Sequence, residues 1–167
     1  VTTGDYNVAL GYNAMTATDT GNSCVGIGYL ALEAQTDGYY NTAIGAYACQ
    51  NLTAARDNVA VGQGALRAVT SSLAIGNTAV GHWALSTITT HSANTAIGKL
   101  AGQDLVSGGN TLIGFEAGLQ NTSGAQNIAV GYSAMGAEIT TGSNNIAVGI
   151  QAGNAITSGE YNIFMGY

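Results

Sequence analysis

The sequence predicts an all-β protein, a parallel β-solenoid of about ten 17-residue coils. Three observations predict it. A phrase of the form Asn-x-Ala-(Val/Ile)-Gly-x-x-Ala returns from end to end of the 167 residues. A short segment rich in β-branched residues precedes each motif glycine, which favours a strand. There is no proline and no sustained 3.6-residue stripe, and a period of 17 is too short for the common two-helix repeats, which need about 30 residues or more.

The motif glycines are Gly11, Gly28, Gly45, Gly62, Gly81, Gly98, Gly114, Gly131, Gly149 and Gly166, separated by 17, 17, 17, 19, 17, 16, 17, 18 and 17 residues. Counting from each glycine as position 0 turns the chain into a grid. Position −4 is Asn in nine repeats (Asn7, Asn41, Asn58, Asn77, Asn94, Asn110, Asn127, Asn145 and Asn162), with Cys24 in the tenth. Stacked at about 4.8 Å per coil, these amides are expected to form a ladder. Position −1 is always a mid-sized apolar residue, from Leu10 and Ile27 to Met165, and is expected to stack into an apolar spine. Alanines at −2 and +3 fit places that admit only a methyl group, and the glycine supplies positive φ or a close backbone approach at a corner.

The remainder of each repeat is a second short extended segment and a polar return loop. The departures from 17 are expected in that loop, because an insertion within a strand reverses the side of every following residue. Ten coils give a rod of roughly 48 Å, and residues 1–167 are expected to form a single repeat solenoid; with no obvious cap at either end, it is expected to be a segment of a longer fibre or to have its ends covered by partners.

Charged residues are only 7% of the chain and the net charge is −6. The three cations, Arg56, Arg67 and Lys99, form no run, which excludes nucleic-acid binding and disfavours an anionic membrane surface. No stretch is long and apolar enough for a membrane helix. Cys24 and Cys49 fall in different columns of adjacent repeats and read as small buried hydrophobes, a disulfide being possible but not indicated.

The phrases "NTAIG", "NTAVGHWAL", "NIAVGYSAM" and "NIAVGIQAG" resemble the Asn-Thr-Ala-Val-Gly repeats of phage tail fibres and related virion spike proteins. They are also similar to the head repeats of trimeric autotransporter adhesins, whose period is shorter. The resemblance covers essentially the whole chain. It implies a left-handed β-roll, a homotrimer packed through apolar faces, and a virion or extracellular, cell-surface location.

No catalytic, cofactor or metal site is expected. The nine acids share no column, as a calcium-binding β-roll would require. His82 and His91 lack companions at ligand spacing. Glycan cleavage needs paired carboxylates, and Glu33 and Glu116 lie five repeats apart. The expected function is therefore a non-catalytic structural fibre or adhesin segment that attaches to a host surface. Tyr12, Tyr29, Tyr47, Trp83 and Tyr132, in the varied positions just after the glycine, are the candidates for contact with a glycan receptor or partner chain. One alternative is an ice-binding solenoid, on a ladder of Thr36, Thr53, Thr70, Thr89, Thr122 and Thr157 broken at Val106 and Ile139. Another is a subunit of an end-to-end extracellular filament.

Overall fold

The computed structural model describes residues 3–138 and 140–167. Ile139, one of the two breaks in the threonine column, lies outside the described residues, as does Val1, with which the chain begins. Ten three-residue strands follow one another: β1 Val8–Leu10, β2 Val25–Ile27, β3 Thr42–Ile44, β4 Val59–Val61, β5 Thr78–Val80, β6 Thr95–Ile97, β7 Thr111–Ile113, β8 Ile128–Val130, β9 Ile146–Val148 and β10 Ile163–Met165. They form one parallel sheet in sequence order, each strand paired with its equivalent in the next coil. Among the described residues there is no helix. The chain is the parallel β-solenoid that its periodicity predicts.

The ladder outlasts the strands. Gly28 N–H donates to Leu10 O at 2.8 Å and Leu30 N–H to Tyr12 O at 2.9 Å, and the same pair of bonds recurs up the stack. Positions −3, −1 and +1 therefore share one side of a regular parallel ribbon. That side faces outward. The strand alanines Ala43, Ala60, Ala79, Ala96, Ala129 and Ala147 are buried, whereas their neighbours on either side are half-buried or exposed. The expected apolar spine is present at −1, and it runs along the outside of the sheet rather than through the core. A 17-residue coil is too narrow to hold β-branched side chains from the sheet together with the large residues of the opposite wall.

Those large residues are Met15, Leu32, Leu66, Leu85 and Met135 at +4, with Leu52, Val69, Ile88 and Leu105 at +7, all buried. Where +4 is glycine, −2 grows. Leu112 fills the space beside Gly102 and Gly118, and Phe164 the space beside Gly153. Where +4 is Met15, the facing strand position is Gly26, and a β-carbon there would stand 2.7 Å from Met15 Cγ.

The expected second extended segment is replaced by tight turns. Every described residue with positive φ falls in one of four columns, −5, 0, +2 and +4. Leu30, Leu32, Tyr47 and Trp83 are among the non-glycine residues held there, with φ from 52° to 61°. Each such residue costs roughly 1 kcal/mol or more, and bonds to the neighbouring coil, such as Leu32 N–H to Ala48 O at 3.1 Å, hold it in place. Outside the ten strands, one isolated parallel bridge, Asn121 with Thr140, joins successive coils among the described residues. The extra residues of the 19-residue coil lie in the return loop around Leu73, as expected, where Ser92 Oγ donates to Leu73 O.

The asparagine ladder is present and has two functions. Each Oδ1 accepts the backbone N–H of the next ladder residue, at 2.8–3.1 Å. Most of the Nδ2 groups donate to the carbonyl at −7 of the next coil, as Asn58 does to Ala74 and Asn94 to Ser107. Corner backbone groups buried away from water are thereby paired. Asn41, Asn58, Asn77, Asn94, Asn110, Asn127 and Asn145 are wholly buried.

The glycine corner meets both expected demands. From Gly11 to Gly149 the motif φ runs from 131° to 140°. A β-carbon on Gly98 would stand 2.2 Å from Gly114 O.

Candidate interaction surfaces

Two adjoining surfaces stand out. The first is the outward side of the sheet. Its −3 column is Val8, Val25, Thr42, Val59, Thr78, Thr95, Thr111, Ile128, Ile146 and Ile163, and its −1 column is wholly apolar. Ile44, Ile97 and Ile113 in its middle are 38%, 40% and 37% exposed. No charged side chain interrupts either column. A single exposed leucine is unremarkable, but an uncharged strip with a continuous apolar column along the length of a rod marks an interaction surface.

The second surface borders the first, at +1 and +2. Tyr12 and Tyr29 stack with centroids 5.5 Å apart, and Tyr47 meets Tyr29 edge-on at 5.3 Å. Phe115 and Tyr132 stack at 5.3 Å, and Lys99 Nζ lies 5.7 Å from the Phe115 centroid. The five aromatic candidates are therefore divided. Tyr12, Tyr29 and Tyr47 form one cluster, Trp83 follows it beyond Arg67, and Tyr132 belongs to a separate pair. Stacking on one another occupies ring faces that would otherwise carry a sugar ring, so the interior of this ladder offers mainly ring edges.

Arg67, which the sequence reading did not single out, joins Tyr47 to Trp83. Its guanidinium carbon lies 5.3 Å from the Tyr47 centroid and 5.5 Å from that of Trp83. Its Nε donates to Gln50 Oε1 at 3.0 Å, and Gln50 Nε2 donates to Glu33 Oε2 at 2.9 Å. The legible signal was Gly64 at +2, between coils that carry Tyr47 and Trp83. Its missing side chain leaves room for the Trp83 ring, 3.1 Å from where a β-carbon would be. Arg56 is engaged differently, with Tyr39 OH as acceptor from Nη1, Asp57 at 3.8 Å, and a place over the Tyr39 ring. Its guanidinium is pushed further up from its ordinary range, first by the Tyr39 hydrogen bond.

The acids remain dispersed. Asp37 accepts from Thr20 Oγ1 at 2.8 Å, and Glu116 from Ser133 Oγ at 3.4 Å. Among the described residues no three His, Cys, Asp or Glu side chains form a group able to hold a metal ion. His82 lies edge-on to Trp83, and His91 Nδ1 is 3.3 Å from Thr90 Oγ1. Both cysteines are free and buried. In the threonine column at +8, Thr36 and Thr53 donate from Oγ1 to the carbonyls of Thr53 and Thr70.

No family model, no curated protein and no solved structure matches the chain.

Proposed function

We propose that this chain is a non-catalytic structural segment, part of an extracellular or virion fibre of the tail-fibre or adhesin kind, assembled as a homotrimer and carrying an attachment surface. The observation that carries the reading is the unbroken apolar column at −1, beside an uncharged −3 column of Val, Ile and Thr. Three rods packed through these strips would bury, along their whole length, the side chains that are least suited to water. The dispersed acids and the absence of a paired-carboxylate column favour a passive rod over a glycan-cleaving one.

Light scattering across a dilution series tests it. The expected particle is about 50 kDa, three chains of 16.7 kDa. A monomer at micromolar concentration would overturn the trimer, and dilution-sensitive larger species would instead favour end-to-end filaments.

The same strip supports a second reading, an ice-binding solenoid. Thr42 with Ile44, Thr78 with Val80, Thr95 with Ile97 and Thr111 with Ile113 set a hydroxyl beside a methyl-rich side chain at the coil repeat. This is a different column from the +8 threonines, two of whose hydroxyls are committed to backbone carbonyls. Thermal hysteresis in a cooled droplet discriminates between the two readings.

A further inference from the structure

The three cations of the chain are not equally engaged. Arg56 has a carboxylate and a phenol as partners, and Lys99 stands over one ring. Arg67 is fixed on three sides, by Tyr47, by Trp83 and by Gln50 at Nε. Yet its two terminal nitrogens have no hydrogen-bond partner, and no carboxylate lies within ion-pair distance of it, among the described residues. Among the same residues Lys99 too has no carboxylate at ion-pair distance; what sets Arg67 apart is that its guanidinium plane is held while its terminal nitrogens stay unpaired.

The clamp comes from the coil sequence. Gly64 removes one side chain from the +2 column, so Tyr47 and Trp83 stand two coils apart; the Trp83 ring closes over Gly64, and the guanidinium of the intervening coil lies against both rings. Gln50 supports it from below and is itself held by Glu33. A guanidinium immobilised in this way loses little rotamer freedom on binding, and its free edge is a planar two-donor fork matched to a carboxylate. The surrounding wall is aromatic and half-buried, and it presents ring edges beside the guanidinium. The overall negative charge disfavours densely charged polyanions and leaves a singly charged ligand as the better fit.

We propose that the clamped Arg67 binds the carboxylate of an acidic sugar, a uronic-acid type of residue, with the edges of the Tyr47 and Trp83 rings beside the sugar. This deepens the attachment reading and rests on it. The rod and its oligomeric state are tested separately by solution mass, so failure of one leaves the other standing.

Trp83 is the one tryptophan of the chain, so its fluorescence reports on the site directly. Methyl glucuronide, methyl glucoside and sodium acetate are each titrated into the full chain, following Trp83 emission and the Arg67 Nε–Hε resonance. The expected result is a saturable response to the glucuronide, at least tenfold weaker with the neutral glucoside and with acetate. Arg67→Gln and Arg67→Lys should each weaken it at least tenfold, since lysine keeps the charge and loses the fork. Arg56→Gln should leave it unchanged. No saturable change in either signal overturns the site, and so does an equal response to the glucoside. Equal binding of acetate overturns the sugar part. An undiminished response in Arg67→Lys, or in a folded Arg67→Gln, overturns the role of the fork.

Discussion

Leu112 occupies the volume that Gly118 leaves open: a β-carbon on Gly118 would stand 2.6 Å from Leu112 Cδ2. Gly102, one coil earlier, opens the same space from the other side, at 2.7 Å from Leu112 Cδ1. Large and small residues thus trade places between the sheet and the opposite wall, and the cross-section stays filled. Leu112→Ala should cost about 2–5 kcal/mol, because two flanking glycines cannot collapse into the void. Gly118→Ala should cost about 1–2 kcal/mol from its left-handed backbone alone. Combining them should cost less than the sum, by at least about 0.5 kcal/mol, since the new methyl partly fills the new cavity. Chemical denaturation of the four proteins closes this cycle, and strict additivity would show that the two positions do not share a volume.

The corner glycines differ from other glycines of positive φ. Gly98 has φ 140° and no room for a β-carbon, whereas Gly76 has φ 69° and nothing within 4 Å of one. Gly98→Ala should destabilise by more than about 3 kcal/mol, through strain and a collision with Gly114 O. Gly76→Ala should cost only about 1–2 kcal/mol. Thermal midpoints measure both, and similar losses would refute the close stacking of the corner.

Much of this architecture was legible because stacking forces identical demands on equivalent positions. The period, the glycine corner, the asparagine ladder and the placing of length changes in the return loop all follow from that. Which side of the strand faces inward was not legible. In Thr95-Ala96-Ile97 the parity rule separates Ala96 from its neighbours, but with no charged residue on either side, polarity gives no direction. Only the width of the coil, set by Leu85 and its equivalents across the core, decides it. The left-handed columns were also hidden, because Leu30, Tyr47 and Trp83 are residues that ordinarily avoid that conformation. The aromatic column could be read, whereas the Arg67 clamp needed Gly64 to be recognised as a gap rather than a weak match.

Cys24 occupies an asparagine place and takes both asparagine roles through weaker sulfur contacts, its Sγ donating to Gly38 O at 3.5 Å. Asn41 N–H reaches Cys24 Sγ at 3.4 Å in place of an amide oxygen, and Asn41 Nδ2 also turns to Gln35 Oε1 at 3.2 Å. Gln35 Nε2 is buried with no partner. Cys24→Asn together with Gln35→Leu, the residue that Leu52 provides one coil on, should complete the ladder and remove the orphan donor. The expected gain is about 1–2 kcal/mol, read as a higher denaturation midpoint. A lower midpoint would mean that Gln35 is a packing requirement of this coil.

Burial, with a smaller contribution from Cys24, pushes the Cys49 thiol up to about 12. An unfolded thiol ionises near about 8.5. Below that pH the thiol is protonated in both states and stability is unaffected by it. As pH rises from about 9 towards 12 the unfolded state alone loses the proton, so stability falls by about 1.4 kcal/mol per pH unit. Cys49→Ala should remove this component, and equal slopes of midpoint against pH in the two proteins would contradict the burial of the thiol.

Neighbouring strand residues should give opposite phenotypes. Ala96 is wholly buried, whereas Ile97 beside it is 40% exposed on the outward strip. A lysine at Ala96 would force a charge into a core that admits a methyl group, and Ala96→Lys should cost more than about 4 kcal/mol and abolish the cooperative transition. Ile97→Lys should preserve the circular dichroism of the coil. In the trimer we propose, it would set three like charges against an apolar seam and shift the particle from about 50 kDa to the 16.7 kDa of one chain. Light scattering and circular dichroism on the same samples separate these outcomes. If Ile97→Lys unfolds the protein as Ala96→Lys does, the strip is part of the core. If it changes neither mass nor fold, the strip is not the seam between chains, and its threonine and isoleucine columns become the surface to test against ice.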